Sequence, residues 1–242
     1  SKSREAAIKS FGAEVIRVRG NYEASLSACK NDAKLNAWEI VSDTSWEGYE
    51  DVPLQIMAGY STIGNEIISQ MNVKLLSHAF LPVGVGGLAA GVLSPLWAFL
   101  GKKLCKIISV ESCLSACLLE SISAGTPQLV NIKQETIMAG LSCGEVSTLA
   151  WDILKTTLSH SVTIKDEAVT LIMRLLATGF PKSNPIEAGE CSTAGLIALI
   201  AISKNNTLRK KIGLNSDSVV LILGTEGATD LEFYQKVISD HH

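Results

Sequence analysis

Between Leu81 and Gly91 the chain reads Leu-Pro-Val-Gly-Val-Gly-Gly-Leu-Ala-Ala-Gly, an apolar stretch, then closely spaced glycines, then alanines. That order predicts a buried strand, a tight turn and the start of a helix. Glycine lacks a Cβ and tolerates positive φ, so successive backbone N–H groups in such a turn converge on one spot. The helix that follows adds partial positive charge at its N-terminus. Together they predict an anion cradle, most often used for phosphate. A glycine turn that serves only close helix–sheet packing would carry the same letters.

The bulk properties narrow the setting. At 242 residues, 47% hydrophobic and 19% charged, the chain has material for one large domain or two modest ones. A net charge of −3 with scattered Lys and Arg argues against nucleic acid as a partner. Phe80 to Gly101 holds no charged residue, is long enough to span a bilayer, and includes Gly87 and Gly91 at a helix-packing spacing. Pro82, Pro95 and the glycines interrupt it, so it reads as strand plus helix of a folded domain rather than a membrane span. The start, Ser1-Lys-Ser-Arg-Glu5, lacks the apolar core of a signal peptide. Cys29, Cys105, Cys113, Cys117, Cys143 and Cys191 form no CxxC pair, and Cys113 and Cys117 would share a face if helical. Of four histidines, His241 and His242 end the chain and read as a tag remnant or frayed end. No metal site is expected. The cysteines read as buried thiols of a reducing, cytoplasmic compartment.

Helix and strand patterns alternate almost throughout. Helices are expected at Ala6–Phe11, Tyr22–Ala33, Pro53–Gln70, from the glycine turn to Phe99, Ser112–Ser123, Val146–Leu158, Lys165–Leu176, Thr193–Ser203 and Asp230–Ile238. Strands are expected at Glu14–Val18, Trp38–Ser42, ahead of the glycine turn, and at Lys106–Val110, Ser161–Ile164 and Asp217–Leu223. The alternation predicts an α/β fold, three layers deep, on a mostly parallel sheet. Ligands in such sheets sit beyond the carboxyl ends of the strands, where the glycine turn, Asp43-Thr44 and Gly224-Thr-Glu-Gly227 fall. A domain boundary is expected near Glu47–Pro53, dividing residues 1–50 from 51–242.

Two ligands suit the glycine turn. Gly84-Val-Gly86-Gly-Leu-Ala89 fits a dinucleotide fingerprint, with Glu111 at the end of the next strand where a ribose-binding acid belongs. The same turn suits a single phosphate, as on pyridoxal phosphate. Both place phosphate at a helix N-terminus, so the turn alone leaves the choice open.

Six blocks carry a resemblance. They are Gly20-Asn-Tyr-Glu23, Ser42-Asp-Thr-Ser-Trp-Glu-Gly-Tyr49, Gln55-Ile-Met-Ala-Gly-Tyr60, Glu135-Thr-Ile-Met-Ala-Gly-Leu-Ser-Cys-Gly-Glu145, Glu187-Ala-Gly-Glu-Cys-Ser-Thr-Ala-Gly195 and Leu223-Gly-Thr-Glu-Gly-Ala-Thr-Asp230. In this order the chain resembles the diaminopropionate ammonia-lyases, within the fold type II pyridoxal phosphate enzymes. The resemblance implies pyridoxal 5'-phosphate as cofactor, an amino-acid substrate and α,β-elimination to pyruvate and ammonia. It implies that Gly84, Val85, Gly86, Gly87 and Leu88 hold the phosphate, and that a larger residue at Gly86 or Gly87 blocks it. Asp43 would handle the α-proton of the D-isomer; a turn-capping role through Thr44 and Ser45 is its alternative. Thr225 would lie near the pyridine nitrogen, although Gly224 departs from the family's Ser-Thr-Glu-Gly pattern. Cys117 and Cys143 match positions that pair as a disulfide in some members, and Trp46 and Tyr49 could wall the pocket. The resemblance aligns Ser1 inside the family's small domain, so residues 1–50 would be its remainder and the Schiff-base lysine would lie upstream. No lysine of this chain sits in a matching motif, and the chain alone is expected to be inactive. A homodimer is expected by the same likeness. Serine or threonine dehydratases, a nicotinamide-dependent Rossmann protein and a non-catalytic relative stand as alternatives.

Overall fold

The computed structural model describes residues 1–179 and 184–240. The His241–His242 pair lies outside them. The described elements run α1 (Lys2–Ser10), α2 (Tyr22–Asn36), α3 (Asp51–Gln70), β1 (His78–Pro82), α4 (Gly87–Leu100), β2 (Lys106–Ser112), α5 (Cys117–Ala124), α6 (Thr148–Thr157), β3 (Leu158–Ile164), α7 (Val169–Ala177), α8 (Ala194–Lys204), α9 (Asn206–Ile212), β4 (Val220–Ile222) and α10 (Leu231–Ser239). The strands form one parallel sheet in the order β3-β2-β1-β4, with His78 opposite Lys106 on one side and Val220 on the other.

Period-two alternation divides the strand side chains between two cores. Ala79, Leu81 and Ile107 pack with Ala90, Leu93 and Leu154, against α4 and α6. Phe80, Ile108 and Val110 pack with Met173, Ala198 and Tyr234, against α7, α8 and α10. Helices therefore cover both faces, as the three-layer expectation requires. The uncharged run from Phe80 to Gly101 is divided into β1, a turn and α4, and no described helix is long and apolar enough to cross a membrane.

Several expectations change. Residues 14–18 and 38–42 carry the alternation of strands but join no ladder with a described residue, and Ile16, Trp38 and Val41 are exposed. Alternation specifies which side chains share a face; it does not supply a neighbouring strand. The helix expected from Ser112 begins only at Cys117, because Ser112 still pairs in β2 and residues 113–116 turn. Cys113 is consequently exposed while Cys117 is buried, so the two share no helical face. Helix α9 was not expected; Asn205 caps it by accepting from Thr207 and Leu208 N–H, and Gly213 closes it at φ +72°.

Candidate active site

The chain leaves β1 for β2 on one side and returns to lay β4 on the other. That reversal opens a crevice at the carboxyl ends of β1 and β4, where open α/β sheets take ligands. The glycine turn follows β1 directly. Gly86 is the N-cap of α4 at φ +95°, with no side chain capping the helix. Among the described residues none accepts a hydrogen bond from the N–H of Gly86, Gly87 or Leu88. A Cβ on Gly84 would lie 2.7 Å from the Gly140 carbonyl oxygen and 3.2 Å from Cys143 Sγ. These free amides at the start of a 14-residue helix suit an anion.

Two cavities open beside the turn and share Gly140 as a wall. The larger, of about 600 Å³, reaches Val85, Asp43, Tyr22, Glu135 and Ser142. The smaller, of about 200 Å³, reaches Leu88, Cys191, Ser192, Thr225 and Glu226. The structure thus brings Asp43 and Val85 to one cavity and Leu88 and Thr225 to the adjoining one, while Gly84, Gly86 and Gly87 line neither.

Asp43 is half-buried in a loop fixed on three sides. Thr44 Oγ1 lies 3.4 Å from Asp43 Oδ1 and 3.0 Å from the Tyr22 hydroxyl. Burial raises the Tyr22 phenol above its ordinary value, and the Asp43 charge adds to the rise. The turn-capping alternative falls to a neighbour: Ser42 Oγ, not Asp43, accepts from Thr44 N–H at 3.2 Å. Ser45 Oγ meets Ser147 Oγ at 2.7 Å and Thr148 Oγ1 at 2.8 Å, and accepts from Leu149 N–H at 2.9 Å, capping α6 from a remote loop. Trp46 and Tyr49 do not wall either cavity. Their rings stack on each other 4.2 Å apart, with Lys30 Nζ 3.5 Å from the Trp46 centroid. The Tyr49 hydroxyl donates to Ile40 O at 2.8 Å, tying down the approach to Asp43.

Thr225 is exposed, and its hydroxyl bonds to no described residue. Its loop is held by Glu226, whose Oε2 accepts from Cys191 N–H at 2.7 Å and whose N–H donates to Ser192 Oγ at 2.7 Å. Arg4 Nη2 stands 3.3 Å from both Glu190 and Glu226, joining α1 to this end of the site. Gly224 stands close to Ser192: a Cβ there would lie 3.2 Å from Ser192 Cβ, so a serine in its place would require Ser192 to give by a few tenths of an ångström.

Cys117 and Cys143 flank the turn as free thiols; Cys117 Sγ donates to Gly84 O at 3.6 Å. Burial pushes the Cys143 thiol up to about 12, the charges of Asp43, Glu23 and Glu135 act in the same sense, and the Val85 N–H opposes them. Glu111 ends the dinucleotide reading. Its carboxylate is wholly buried and accepts from Leu118 and Leu119 N–H, each at 2.8 Å, so it caps α5 and reaches no ribose. Burial outweighs those bonds and raises it to about 7.

Sequence reasoning assigned no role to Tyr22, Glu135, Ser142, Cys191 or Glu226. Each sits inside one of the blocks that carried the resemblance, which was the available signal.

A parallel α/β protein with free helix-end amides beside two cavities at its switch point belongs to the class that grips a phosphorylated ligand. Residues 1–225 match the family model for pyridoxal-phosphate dependent enzymes, and the chain belongs to that family. Diaminopropionate ammonia-lyase of Escherichia coli strain K12 is 35% identical over 98% of this chain and 61% of its own length. The same enzyme of Salmonella typhimurium strain LT2 is 30% identical over 96% of this chain and 59% of its own length. The crystal structure of the Escherichia coli enzyme in complex with an aminoacrylate-PLP azomethine reaction intermediate superposes with a TM-score of 0.89 at 33% identity. It covers 99% of this chain and 62% of that one. The chain therefore spans about three-fifths of the length of these relatives.

The residues present fit pyridoxal phosphate. The amides of Gly86, Gly87 and Leu88, from which no described residue accepts a hydrogen bond, suit its phosphate. Among the described residues no lysine lines either cavity.

Proposed function

We propose that this chain forms most of a pyridoxal 5'-phosphate-dependent lyase that converts 2,3-diaminopropionate to pyruvate and ammonia. The observation that carries the proposal is the open amide cradle of Gly86–Leu88, set between the cavity that Val85 shares with Asp43 and the adjoining one that Leu88 shares with Thr225. In this reading Gly84, Val85, Gly86, Gly87 and Leu88 seat the phosphate through backbone N–H groups, and Thr225 faces the pyridine nitrogen. When bound, the cofactor supplies an electron sink for the pair left on the α-carbon. Asp43 accepts the α-proton of the D-isomer, and Thr44, itself paired with the Tyr22 hydroxyl, holds its carboxylate in place. Elimination then expels the β-amino group, and hydrolysis of the product releases the second ammonia. Residues 1–50 form the remainder of a small domain and 51–242 the large one. In support, residues 1–50 give no strand to the four-stranded sheet. The protein is proposed as a cytoplasmic homodimer.

The test supplies the full-length protein with cofactor and either isomer of 2,3-diaminopropionate, with threonine as the competing substrate. Pyruvate from diaminopropionate is expected, with little 2-oxobutyrate from threonine. Asp43→Asn is expected to slow the D-isomer by about 100-fold or more, in the range of a lost acid–base group, and the L-isomer much less. Residues 1–242 alone are expected to release no pyruvate. A full-length protein that stays colourless with cofactor, or that prefers threonine, refutes the proposal.

A further inference from the structure

The larger cavity is lined by two carboxylates, Asp43 and Glu135, and by no Lys or Arg among the described residues. Glu135 lies on the loop before the short helical turn Ala139–Leu141, and the loop is held directly after it. Thr136 Oγ1 donates to Asp166 Oδ1 at 2.6 Å, Ile137 N–H donates to Asp166 Oδ2 at 2.8 Å, and the Met138 side chain is buried. Ser142 Oγ donates to Glu135 Oε2. Glu135 Oε1 has no hydrogen-bond partner among the described residues. The carboxylate is thus presented to the cavity with one oxygen committed and one available.

Resting on the reading that this cavity receives the amino acid, we propose that Glu135 sets its specificity by accepting a hydrogen bond from the substrate's β-ammonium. The site thereby selects a substrate with a second amine over one with a hydroxyl. The chemistry favours such a group. Elimination breaks the Cβ–N bond with both electrons leaving on nitrogen, while the α-proton goes to the base and the pair left on Cα forms the Cα–Cβ double bond. Only the protonated amine departs as neutral ammonia. A carboxylate facing that nitrogen favours its protonated form. Serine offers this carboxylate no charge to hold, and an acidic side chain is repelled by it.

The test uses the full-length protein with pyridoxal 5'-phosphate, as wild type, Glu135→Gln, Glu135→Asp and Ser142→Ala. Rates with 2,3-diaminopropionate and serine are read beside calorimetric Kd values for 2,4-diaminobutyrate and 2-aminobutyrate. Those two differ by a terminal amine and carry no β-leaving group. Glu135→Gln is expected to lower kcat/KM for diaminopropionate by roughly 10- to 100-fold, the range of a charge-assisted hydrogen bond, and to leave serine unchanged. It should also abolish the binding preference for 2,4-diaminobutyrate, while Glu135→Asp retains part of it. Equal loss on both substrates in Glu135→Gln, or the same loss in Ser142→Ala, assigns Glu135 to holding the loop and overturns the inference. A wild type that makes no pyruvate sinks the proposed reaction; the inference then stands if the diamine preference exists and vanishes in Glu135→Gln, and falls otherwise.

Discussion

Gly86 and Gly87 are adjacent, yet the structure asks different things of them. Gly86 holds φ +95°, and a Cβ there would lie 3.0 Å from both Ala150 Cβ and Leu154 Cδ1. Gly87 is already helical, and its Cβ would sit an ordinary 3.5 Å from Asp43 O. Gly86→Ala is therefore expected to cost about 1–2 kcal/mol in urea unfolding and to weaken cofactor retention, from left-handed strain and crowding together. Gly87→Ala should unfold like wild type, and any loss of cofactor absorbance in it would come from crowding of the phosphate rather than of the fold. The letters marked the turn but not which glycine is strained, because φ depends on how the turn enters α4. Glu111 makes the same point. Its place at the end of β2 suited a ribose ligand, and burial, invisible in spacing, made it a helix cap.

At the scale of elements, Gly64 of α3 and Gly91 of α4 do structural work between the two helices, whereas Gly87, at helix spacing from Gly91, meets only Asp43 O. A Cβ on Gly91 would lie 2.6 Å from Met57 O and 2.7 Å from Tyr60 Cβ; one on Gly64 would lie 2.4 Å from Val92 O and 2.5 Å from Pro95 Cγ. The two helices approach backbone to side chain at both ends of their contact. Gly91→Val is expected to destabilise the fold by about 3 kcal/mol or more, seen as a lower urea midpoint, since backbone atoms cannot yield as side chains do. Helices α2, α3, α4, α6 and α8 and strands β1, β2 and β3 were legible because amphipathic or unbroken apolar patterns mark buried elements. Residues 14–18 and 38–42 were not, since their pattern is a strand's but their pairing depends on a neighbour. The capping of α6 was equally hidden: its acceptor, Ser45, lies 104 residues from Leu149 in sequence.

For the whole molecule, the sheet order decides where the ligand goes. Placing β1 between β2 and β4 sets the glycine turn against the 224–227 loop, and local pattern cannot reveal strand order. The resemblance supplied the site's membership, and only the folded chain separated Asp43, in the cavity, from Trp46 and Tyr49, outside it. Glu111 also ties global stability to pH. Burial raises its folded carboxyl to about 7 from an ordinary 4.5. Between those values the folded state keeps a proton that the unfolded chain has lost, so stability falls as pH rises from about 4.5 to about 7 and then levels off. The loss should approach about 3 kcal/mol at most. Urea midpoints at acid and neutral pH should show this slope in wild type and a much shallower one in Glu111→Gln.

Ser45 anchors the loop of Asp43 to the first turn of α6, and Gly86 rests on the same helix through Ala150 and Leu154. Carboxylate and anion seat thus hang from one peg, and any drift of that helix carries both along with their separation preserved.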